Sequence, residues 1–261
     1  MTRQELKAYF YERLKTEGVE SARFESEQLG SYTNPEHAEQ TLKRRLSGEP
    51  LQYILGEWDF FGITLKVGEG VLIPRADTET VAERAIELLK GLKNPIVFDL
   101  CAGSGCIGIA LSKFAGAKVS FFEKSPKALE YLSHNVTSTN TNAEIFEADV
   151  LLPPENEFFG TADMIISNPP YIKSGVIPSL SKEVGFEPKM ALDGGDDGLV
   201  FYRSIAKNWK RVLKKNGYLV FEIGFDQEKE VIEILKAEGY SEVTSGKDLC
   251  GNPRVVYGKN I

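Results

Sequence analysis

Asn168, Pro169, Pro170 and Tyr171 form the stretch of this sequence whose residue types point most directly to chemistry. They follow a mostly apolar run, residues 164–167, that predicts a buried strand. The prolines end that strand because neither has a backbone N–H, and each favours an extended conformation in the residue before it. The Asn168 carboxamide, with one acceptor oxygen and two N–H donors, is therefore held in a stiff setting that suits the binding of another amide or amino group. Taken alone, the stretch also fits a proline-rich turn between a strand and a helix.

A glycine-rich turn at residues 101–105 follows a short β-rich run at residues 95–100 and precedes a helix predicted over residues 106–114. A strand, a glycine turn and a helix in this order bring the backbone close to a ligand at the helix N-terminus. The glycines of this segment satisfy the pattern GxGxxG, which is a weak signal alone because dinucleotide-binding enzymes share it.

Two acidic residues end the next two predicted strands. Glu123 follows residues 119–122, and Asp149 follows residues 144–148. An acid at the end of the second strand can bind both hydroxyls of a ribose, and an acid at the end of the third suits an adenine amino group. Either acid alone also fits a surface loop, but two of them after a glycine turn favour a nucleoside site. Nicotinamide and S-adenosylmethionine both fit this layout.

The stretch from Asn168 to Tyr171 favours S-adenosylmethionine, because methyl transfer to a planar nitrogen has a use for it and hydride transfer has none. An amide nitrogen is a poor nucleophile, since its lone pair is delocalised. If the Asn168 side-chain oxygen and the Pro169 carbonyl accept its two N–H bonds, they orient the nitrogen and stabilise the positive charge that develops there. Tyr171 can pack flat on the planar group. No metal and no covalent intermediate is required.

Composition and charge bound the class of protein. The chain has 261 residues, 42% hydrophobic and 26% charged, which is ordinary for a globular protein of one large or two smaller domains. Its formal charge of −7 argues against broad attraction to nucleic acid. No run approaches the roughly 18 apolar residues of a membrane span, and residues 1–18 lack the apolar stretch of a signal peptide. The three cysteines lack CxxC spacing, which favours free thiols in a reducing compartment over a metal site. A cytoplasmic protein is expected.

Three units are expected along the chain. Residues 1–56 predict a helical bundle, with helices over residues 4–17, 21–29 and 34–46. The basic stretch from Lys43 to Arg45 fits either the last turn of the third helix or a docking surface for a partner.

A β-hairpin linker is expected over residues 57–76, with Gly68 and Gly70 in its turn. Arg75 is expected to pair with Glu79 in a local ion pair.

Residues 77–261 alternate strands with helices, which is typical of an α/β fold with a mostly parallel sheet and helices on both faces. Asp77 is expected to cap the first helix of this unit. A longer helix is expected over residues 199–215, ending at Gly217.

Taken together, these motifs resemble the peptide chain release factor N5-glutamine methyltransferase family, the PrmC/HemK group. The resemblance covers about residues 45–258. The matching stretches include Gly48-Glu49-Pro50, Phe61-Gly62, residues 72–79, residues 99–107, Asn168 to Ile172, Phe186-Glu187-Pro188 and residues 251–256. The resemblance implies a class I S-adenosylmethionine-dependent methyltransferase, with a seven-stranded Rossmann-like sheet, a small N-terminal helical domain and a linking hairpin. The implied substrate is the side-chain amide of the glutamine in the Gly-Gly-Gln motif of class I release factors.

The resemblance also implies the site residues by position. The implied cofactor-binding residues are Cys101, Ala102, Gly103, Ser104, Gly105, Glu123, Asp149, Val150 and Asn168. The implied substrate-binding residues are Asn168, Pro169, Pro170 and Tyr171. Ala102 stands where the family often has threonine, and Glu123 stands where aspartate is more usual. A monomer that docks release factors, with the helical bundle as the docking unit, is expected.

Two rival functions fit parts of the same pattern. An adenine-N6 methyltransferase acting on nucleic acid could use the same tetrapeptide to bind the exocyclic amine of a flipped-out base. The acidic charge and the lack of an evident target-recognition domain argue against it, so no stable nucleic-acid partner is expected. A non-catalytic cofactor-binding protein that docks on release factors is the second rival, and the intact Asn168 to Tyr171 stretch argues against it.

Overall fold

Four helices build the N-terminal region of the protein, whose computed structural model describes residues 1–261. Thr2 and Glu5 form a capping box at the start of the first helix, and the Asn34 side chain caps a short 3₁₀ turn before the third. The fourth helix was not expected from the sequence. The four helices are α1 (Arg3–Thr16), α2 (Ala22–Tyr32), α3 (Ala38–Leu46) and α4 (Leu51–Leu55).

Apolar side chains at helical spacing form the core of this bundle. Leu6, Phe10 and Leu14 of α1 are fully buried, and they pack with residues of the other three helices. Arg45 at the end of α3 is also buried, and its guanidinium pairs with Glu25 of α2 at 2.5 Å. Arg45 therefore belongs to the end of the helix and not to a docking surface, because a buried and paired side chain is not available to a partner.

A short hairpin follows the bundle, with strands β1 (Glu57–Phe60) and β2 (Ile63–Lys66). Phe61 and Gly62 form its turn, and both have positive φ angles, of 53° and 69°. The prediction of a turn at Gly68 and Gly70 is wrong. A two-residue turn with two positive φ angles matches the twist of the flanking strands, so the chain reverses earlier than the glycine positions suggested.

The remaining elements form a seven-stranded sheet with helices on both faces. The elements are α5 (Ala76–Leu89), β3 (Ile96–Leu100), α6 (Cys106–Ala115), β4 (Lys118–Glu123), α7 (Pro126–Ser138), β5 (Ala143–Glu147), β6 (Ala162–Ser167), α8 (Val200–Asn208), β7 (Leu213–Glu222), α9 (Glu228–Ala237), β8 (Ser241–Lys247) and β9 (Pro253–Lys259). The strands lie in the order β5-β4-β3-β6-β7-β9-β8, and β9 alone runs in the direction opposite to the other six. This confirms the expected class I methyltransferase fold.

Two apolar cores hold the helices to the sheet. One face carries Val81 of α5 and Ile109 of α6, and the other carries Ile205 of α8 and Val231 of α9. Burial on both faces explains why the central strands read as continuous apolar runs in the sequence.

The helix expected over residues 199–215 ends at Asn208, and β7 begins at Leu213. Trp209 and Val212 are buried between them, and Leu213 pairs with Ala162 in the sheet. The prediction of a continuous α-helix is wrong over the last seven residues, where a 3₁₀ turn at Lys210–Val212 leads into β7, because tertiary burial and strand pairing outweigh local helix propensity. Gly217 accordingly lies within β7 and does not cap a helix.

Three side chains around the start of α5 have other partners than expected. Asp77 does not cap the helix, which begins one residue earlier, and it pairs with Arg254 at 3.0 Å. Arg75 pairs with Glu187, which lies 112 residues away. Glu79 accepts a hydrogen bond from the Phe61 backbone at 2.7 Å. The predicted Arg75–Glu79 pair is therefore wrong, because both side chains bind distant segments.

The elements change type near the predicted unit boundaries. Gly56 ends α4 in the left-handed conformation before β1, and α5 starts at Ala76. The division into residues 1–56, 57–76 and 77–261 stays a prediction. None of the helices combines the length and the apolar character that crossing a membrane requires.

Candidate active site

The order of the sheet reverses between β3 and β6, where the chain continues to β4 and β5 on one side and to β7 on the other. In open parallel sheets, ligand sites form at the carboxyl ends of the strands at such a point. Leu100 and Ser167 are register partners at the ends of these two strands. The glycine turn and Asn168, which follow these two residues directly, are therefore brought side by side.

A cavity opens at this edge of the sheet, with about 1030 Å³ of empty space counting the part that opens to solvent. Its walls also include residues 70–75 after the hairpin and the segment around Pro188. The predicted site residues that line it are Cys101, Ala102, Gly103, Ser104, Glu123, Asp149, Val150, Asn168 and Pro170.

Gly105, Pro169 and Tyr171 do not line the cavity. Gly105 precedes α6 in the left-handed conformation, and a Cβ there would lie 2.5 Å from Leu132. Its observed contacts are thus internal packing. Pro169 is buried, and Tyr171 packs against the core beneath the second face of the sheet. The substrate roles of Pro169 and Tyr171 stay predictions.

Glu123 is fixed by the backbone of the turns around it. Its Oε2 accepts the N–H of Gly103 at 2.8 Å, and its Oε1 accepts those of Lys124 and Ser125 at 2.8 and 2.7 Å. A carboxylate offers about four lone-pair sites, so Oε2 keeps a free acceptor position. Glu123 therefore ties the glycine turn to the end of β4 and can still accept a hydroxyl.

Gly103 leaves room for a ligand at the turn. Its φ is +56°, and a Cβ built there would meet nothing within 4 Å. Because Gly103 lines the cavity, that open space belongs to the cavity.

Asp149 lies at the far end of the same wall. Its Oδ2 binds Lys124 Nζ at 2.8 Å, and its Oδ1 accepts the N–H of Leu151 at 3.0 Å. The carboxylate is held in place while keeping acceptor positions, and Val150 beside it is buried in the wall.

Asn168 lies beside the glycine turn, at the end of the neighbouring strand β6. Its Nδ2 donates to the hydroxyl of Thr78 at 3.4 Å, whereas its Oδ1 accepts no hydrogen bond from the chain, and neither does the Pro169 carbonyl. Asn168 thus presents an unused acceptor at the cavity, which is what an amide N–H requires.

Asp99 and Thr78 line the cavity but were not assigned a role from the sequence. Asp99 is buried and accepts the N–H of Gly108 at 2.9 Å. Burial raises the pKa of Asp99 to about 8, so it carries a proton near neutral pH. Its position at the end of the β-rich run, directly before the glycine turn, was the available signal.

A pair of charged residues closes one wall of the cavity. Arg75 binds Glu187, which is buried and also accepts the N–H of Ile73 at 3.1 Å. Both residues fall in stretches that carry the family resemblance, 72–79 and 186–188. Nothing in the sequence of either stretch indicates that the two are in contact.

Solved structures with the same architecture define the class of the protein. A methyltransferase from Pyrococcus furiosus superposes with a TM-score of 0.56 at 21% identity, covering 77% of this chain and 90% of that one. The T. thermophilus 16S rRNA N2 G1207 methyltransferase, solved with AdoMet and guanosine, superposes with a TM-score of 0.57 at 18% identity. The superposition covers 78% of this chain and 50% of that one. The family model "Methyltransferase small domain" matches residues 82–184. The chain has the fold of a class I S-adenosylmethionine-dependent methyltransferase.

Sequence relatives narrow the class to a family. The release factor glutamine methyltransferase of Thermodesulfovibrio yellowstonii is 41% identical over 220 residues, 82% of this chain and 78% of its own length. That of Geobacter sulfurreducens is 36% identical over 258 residues, which is 95% of this chain and 89% of the relative. That of Fusobacterium nucleatum is 38% identical over 224 residues, which is 85% of this chain but 63% of the relative. The chain belongs to the release factor glutamine methyltransferase family.

Proposed function

We propose that this protein transfers the methyl group of S-adenosylmethionine to the side-chain amide nitrogen of the glutamine in the Gly-Gly-Gln motif of class I release factors. The observation that carries the proposal is the free Oδ1 of Asn168 at the cavity, beside the glycine turn. Membership of the family supports the choice of substrate.

The residues of the cavity fit the cofactor. Gly103 offers open space at the turn, and Glu123 keeps one acceptor position on an oxygen that the backbone holds still. We assign the nucleoside to the turn from Cys101 to Ser104, to Glu123 and to the Asp149-Val150 pair. Bound there, S-adenosylmethionine supplies an electrophilic methyl group.

Asn168 performs the central step in this account by holding the acceptor nitrogen. Its Oδ1 and the Pro169 carbonyl accept the two N–H bonds of the substrate amide, which directs the nitrogen towards the methyl group. As the methyl group arrives, positive charge develops on the nitrogen, and the two fixed oxygens stabilise it. The methyl carbon exchanges its bond to sulfur for a bond to the nitrogen, and one N–H proton passes to water, so that a neutral thioether and the N-methyl amide remain. Tyr171 does not line the cavity in the structure, and its proposed role is to pack flat on the substrate amide.

The setting of the reaction follows from this substrate. Release factors act on cytoplasmic ribosomes, so the cytoplasm is the proposed location. A monomer is the proposed active unit. The helical bundle over residues 1–56 is the proposed docking unit. The net charge of −7 supports the proposal that no nucleic acid binds stably.

Methyl transfer from labelled S-adenosylmethionine tests the substrate. The purified protein is incubated with a class I release factor, with the same factor carrying Gln→Ala in its Gly-Gly-Gln motif, and with duplex DNA. Label on the unaltered factor alone is expected. Label on DNA would favour the adenine-N6 rival, and equal label on both forms of the factor would refute the assigned acceptor.

A further inference from the structure

We propose that Asn135 is a positioning residue for the cofactor, because its carboxamide ties the glycine turn to the β1–β2 hairpin and so holds two walls of the cavity in register. The proposal rests on the function proposed above, which assigns the nucleoside to that turn. Asn135 lies in α7 and does not line the cavity. It therefore acts through the backbone of the turn and not by touching the ligand.

Asn135 occupies a position where the helix pattern favours an apolar residue. It follows Ala128 and Leu132 on the buried face of α7 and is itself fully buried. Asparagine is a poor helix former, and burying a carboxamide costs free energy unless its polar atoms are hydrogen-bonded. Helix stability and apolar packing therefore do not explain this residue, whereas its hydrogen bonds do.

The Asn135 carboxamide makes three hydrogen bonds, all to backbone groups. Its Oδ1 accepts the N–H of Lys66 at 2.8 Å, and its Nδ2 donates to the carbonyl oxygens of Lys66 at 3.1 Å and of Ser104 at 2.9 Å. Only one orientation satisfies all three bonds, because the reversed carboxamide would set N–H against N–H and oxygen against two carbonyls. Asn135 thus binds the hairpin and the glycine turn at the same time.

The bond to Ser104 fixes the peptide group at the end of the glycine turn. The N–H of that peptide group, on Gly105, donates to the Ala102 carbonyl at 2.8 Å. The peptide group is therefore held at both ends, with its N–H on Ala102 and its carbonyl on Asn135. Gly105 has a φ of +81° and Ser104 lines the cavity. Because glycine adopts many backbone conformations, the Asn135 bond is needed to keep this part of the cavity wall in one of them.

The bonds to Lys66 place the second wall. Lys66 is the last residue of β2, and the chain then runs along the cavity over residues 70–75. Val67 and Val71 are buried against Ala128 of α7, so the connection from Lys66 to that wall is packed on the same helix that carries Asn135. A shift of the hairpin would therefore move this wall relative to the glycine turn.

Removing the carboxamide would release the two walls from each other. The Lys66 N–H and the Ser104 carbonyl would lose their partner, and cofactor binding would then have to order the turn and the hairpin separately, which costs affinity. Once the cofactor is bound, both walls are in place and the transfer step is the same. The loss of Asn135 is therefore expected to act on the dissociation constant of S-adenosylmethionine and to spare kcat.

Calorimetric titration with S-adenosylmethionine and steady-state methyl transfer test this split. Asn135→Ala should weaken cofactor binding about tenfold, the scale of one or two net hydrogen bonds, while kcat at saturating cofactor stays within about threefold of the wild type. Asn135→Asp keeps the shape and the acceptor for Lys66 but loses both N–H donors, so it should weaken binding at least as much.

Tyr240→Phe is the matched control for the loss of a buried hydrogen bond. The Tyr240 hydroxyl donates to the Ala206 carbonyl at 3.1 Å, and neither residue lines the cavity. This variant should leave the dissociation constant unchanged. A purely structural role for Asn135 would likewise lower stability without changing cofactor affinity.

Hydrogen exchange in the wild type tests the same link without any variant, so the proposal stays testable if the Asn135 variants do not fold. At a cofactor concentration of about 100 times the dissociation constant, exchange of the Lys66 amide should slow at least about tenfold, although Lys66 does not line the cavity. The Ile96 amide is the control, because it also bonds to a side chain, Asp163 at 2.9 Å, but begins β3 at the end away from the cavity. Its exchange should not change.

Three results would overturn the proposal: wild-type affinity in Asn135→Ala or Asn135→Asp, a loss of kcat without a loss of affinity, or exchange at Lys66 that responds to the cofactor no more than exchange at Ile96. A wild type that binds S-adenosylmethionine but methylates no release factor would instead refute the proposed function. The titrations and the Lys66 exchange would still decide the role of Asn135 in that case.

Discussion

Two glutamates at the same edge of the sheet are buried in different ways. Glu123 at the end of β4 accepts three backbone N–H bonds at 2.7 to 2.8 Å. Glu222 at the end of β7 is 1% exposed, and its Oε2 has no hydrogen-bond partner. Asn168 at the acceptor end is held through the Thr78 side chain. The cofactor end of the cavity is thus fixed by main-chain groups, whereas the acceptor end is fixed by side chains.

This difference predicts that cofactor binding and methyl transfer depend on different residues. Backbone donors stay in place whatever the neighbouring side chains are, so the nucleoside end resists substitution elsewhere in the cavity. The acceptor end depends on Asn168 and on the Thr78 side chain that binds it, and a change in either of them is expected to alter transfer while sparing the cofactor. Each of the following predictions would break or sharpen this separation.

Asn168→Ala should have the largest effect. Removing an oxygen that stabilises developing charge typically costs about 10²–10³ in kcat, and no other side chain in the cavity replaces it. The affinity for S-adenosylmethionine should change by less than about threefold, since Asn168 is only one of the implied cofactor residues and the others, including the glycine turn and Glu123, are untouched. Single-turnover transfer and calorimetric titration measure the two quantities. Exposed Asn156 gives the control, and wild-type turnover in Asn168→Ala would refute its role.

Glu222→Gln should change the pH dependence of stability. The pKa of Glu222 is raised in the folded protein from its ordinary 4.5 to about 7, so the folded state binds more protons than the unfolded state between these values. The stabilisation is complete below about pH 4.5 and is lost as the pH rises through 7, by about 3 kcal/mol for a shift of this size. Urea denaturation should show the wild type losing stability relative to Glu222→Gln over that window. A constant difference across the window would contradict the raised pKa.

Glu123→Ala should weaken the binding of S-adenosylmethionine about thirtyfold, because the variant loses an acceptor and leaves three backbone N–H groups without their partner. At saturating cofactor, kcat should recover to within a few-fold of the wild type. Glu147 is the register partner of Glu123 on β5 and is exposed, so Glu147→Ala is the matched control. An unchanged dissociation constant in Glu123→Ala would refute the ribose assignment.

Arg75→Ala should have the smallest effect, on stability. It leaves the buried Glu187 carboxylate with only the Ile73 N–H, at a cost of about 1–2 kcal/mol. The exposed Arg84–Glu87 pair offers the contrast, and Arg84→Ala should cost less than about 0.5 kcal/mol. Thermal denaturation of the two variants compares them. Equal losses would show that the Arg75–Glu187 pair adds nothing to the wall of the cavity.

The parts of the site that the sequence could predict are those in which local pattern determines geometry. The glycine turn, the acids that end β4 and β5, and Asn168 before two prolines each follow a strand within a few residues, and the sheet brings strand ends together. The same reasoning gave the fold class, since apolar runs alternate with amphipathic helices.

The parts that were missed depend on long-range contacts. Thr78 meets Asn168 across 90 residues, and Arg75 meets Glu187 across 112, so no local spacing signals either pair. Trp209 and Val212 were assigned to a helix because their burial beneath the sheet is a tertiary effect. The hairpin turn at Phe61-Gly62 was missed because the glycines at 68 and 70 gave a stronger local signal.

The separation of the two ends is tested most directly by comparing Asn168→Ala and Glu123→Ala in one experiment, with transfer measured at rising concentrations of S-adenosylmethionine. Asn168→Ala is expected to stay inactive at every concentration while binding the cofactor as the wild type does. Glu123→Ala is expected to regain its rate as the cofactor saturates. If both variants lost affinity together, or if Asn168→Ala recovered at high cofactor concentration, the division between a cofactor end and an acceptor end would be contradicted.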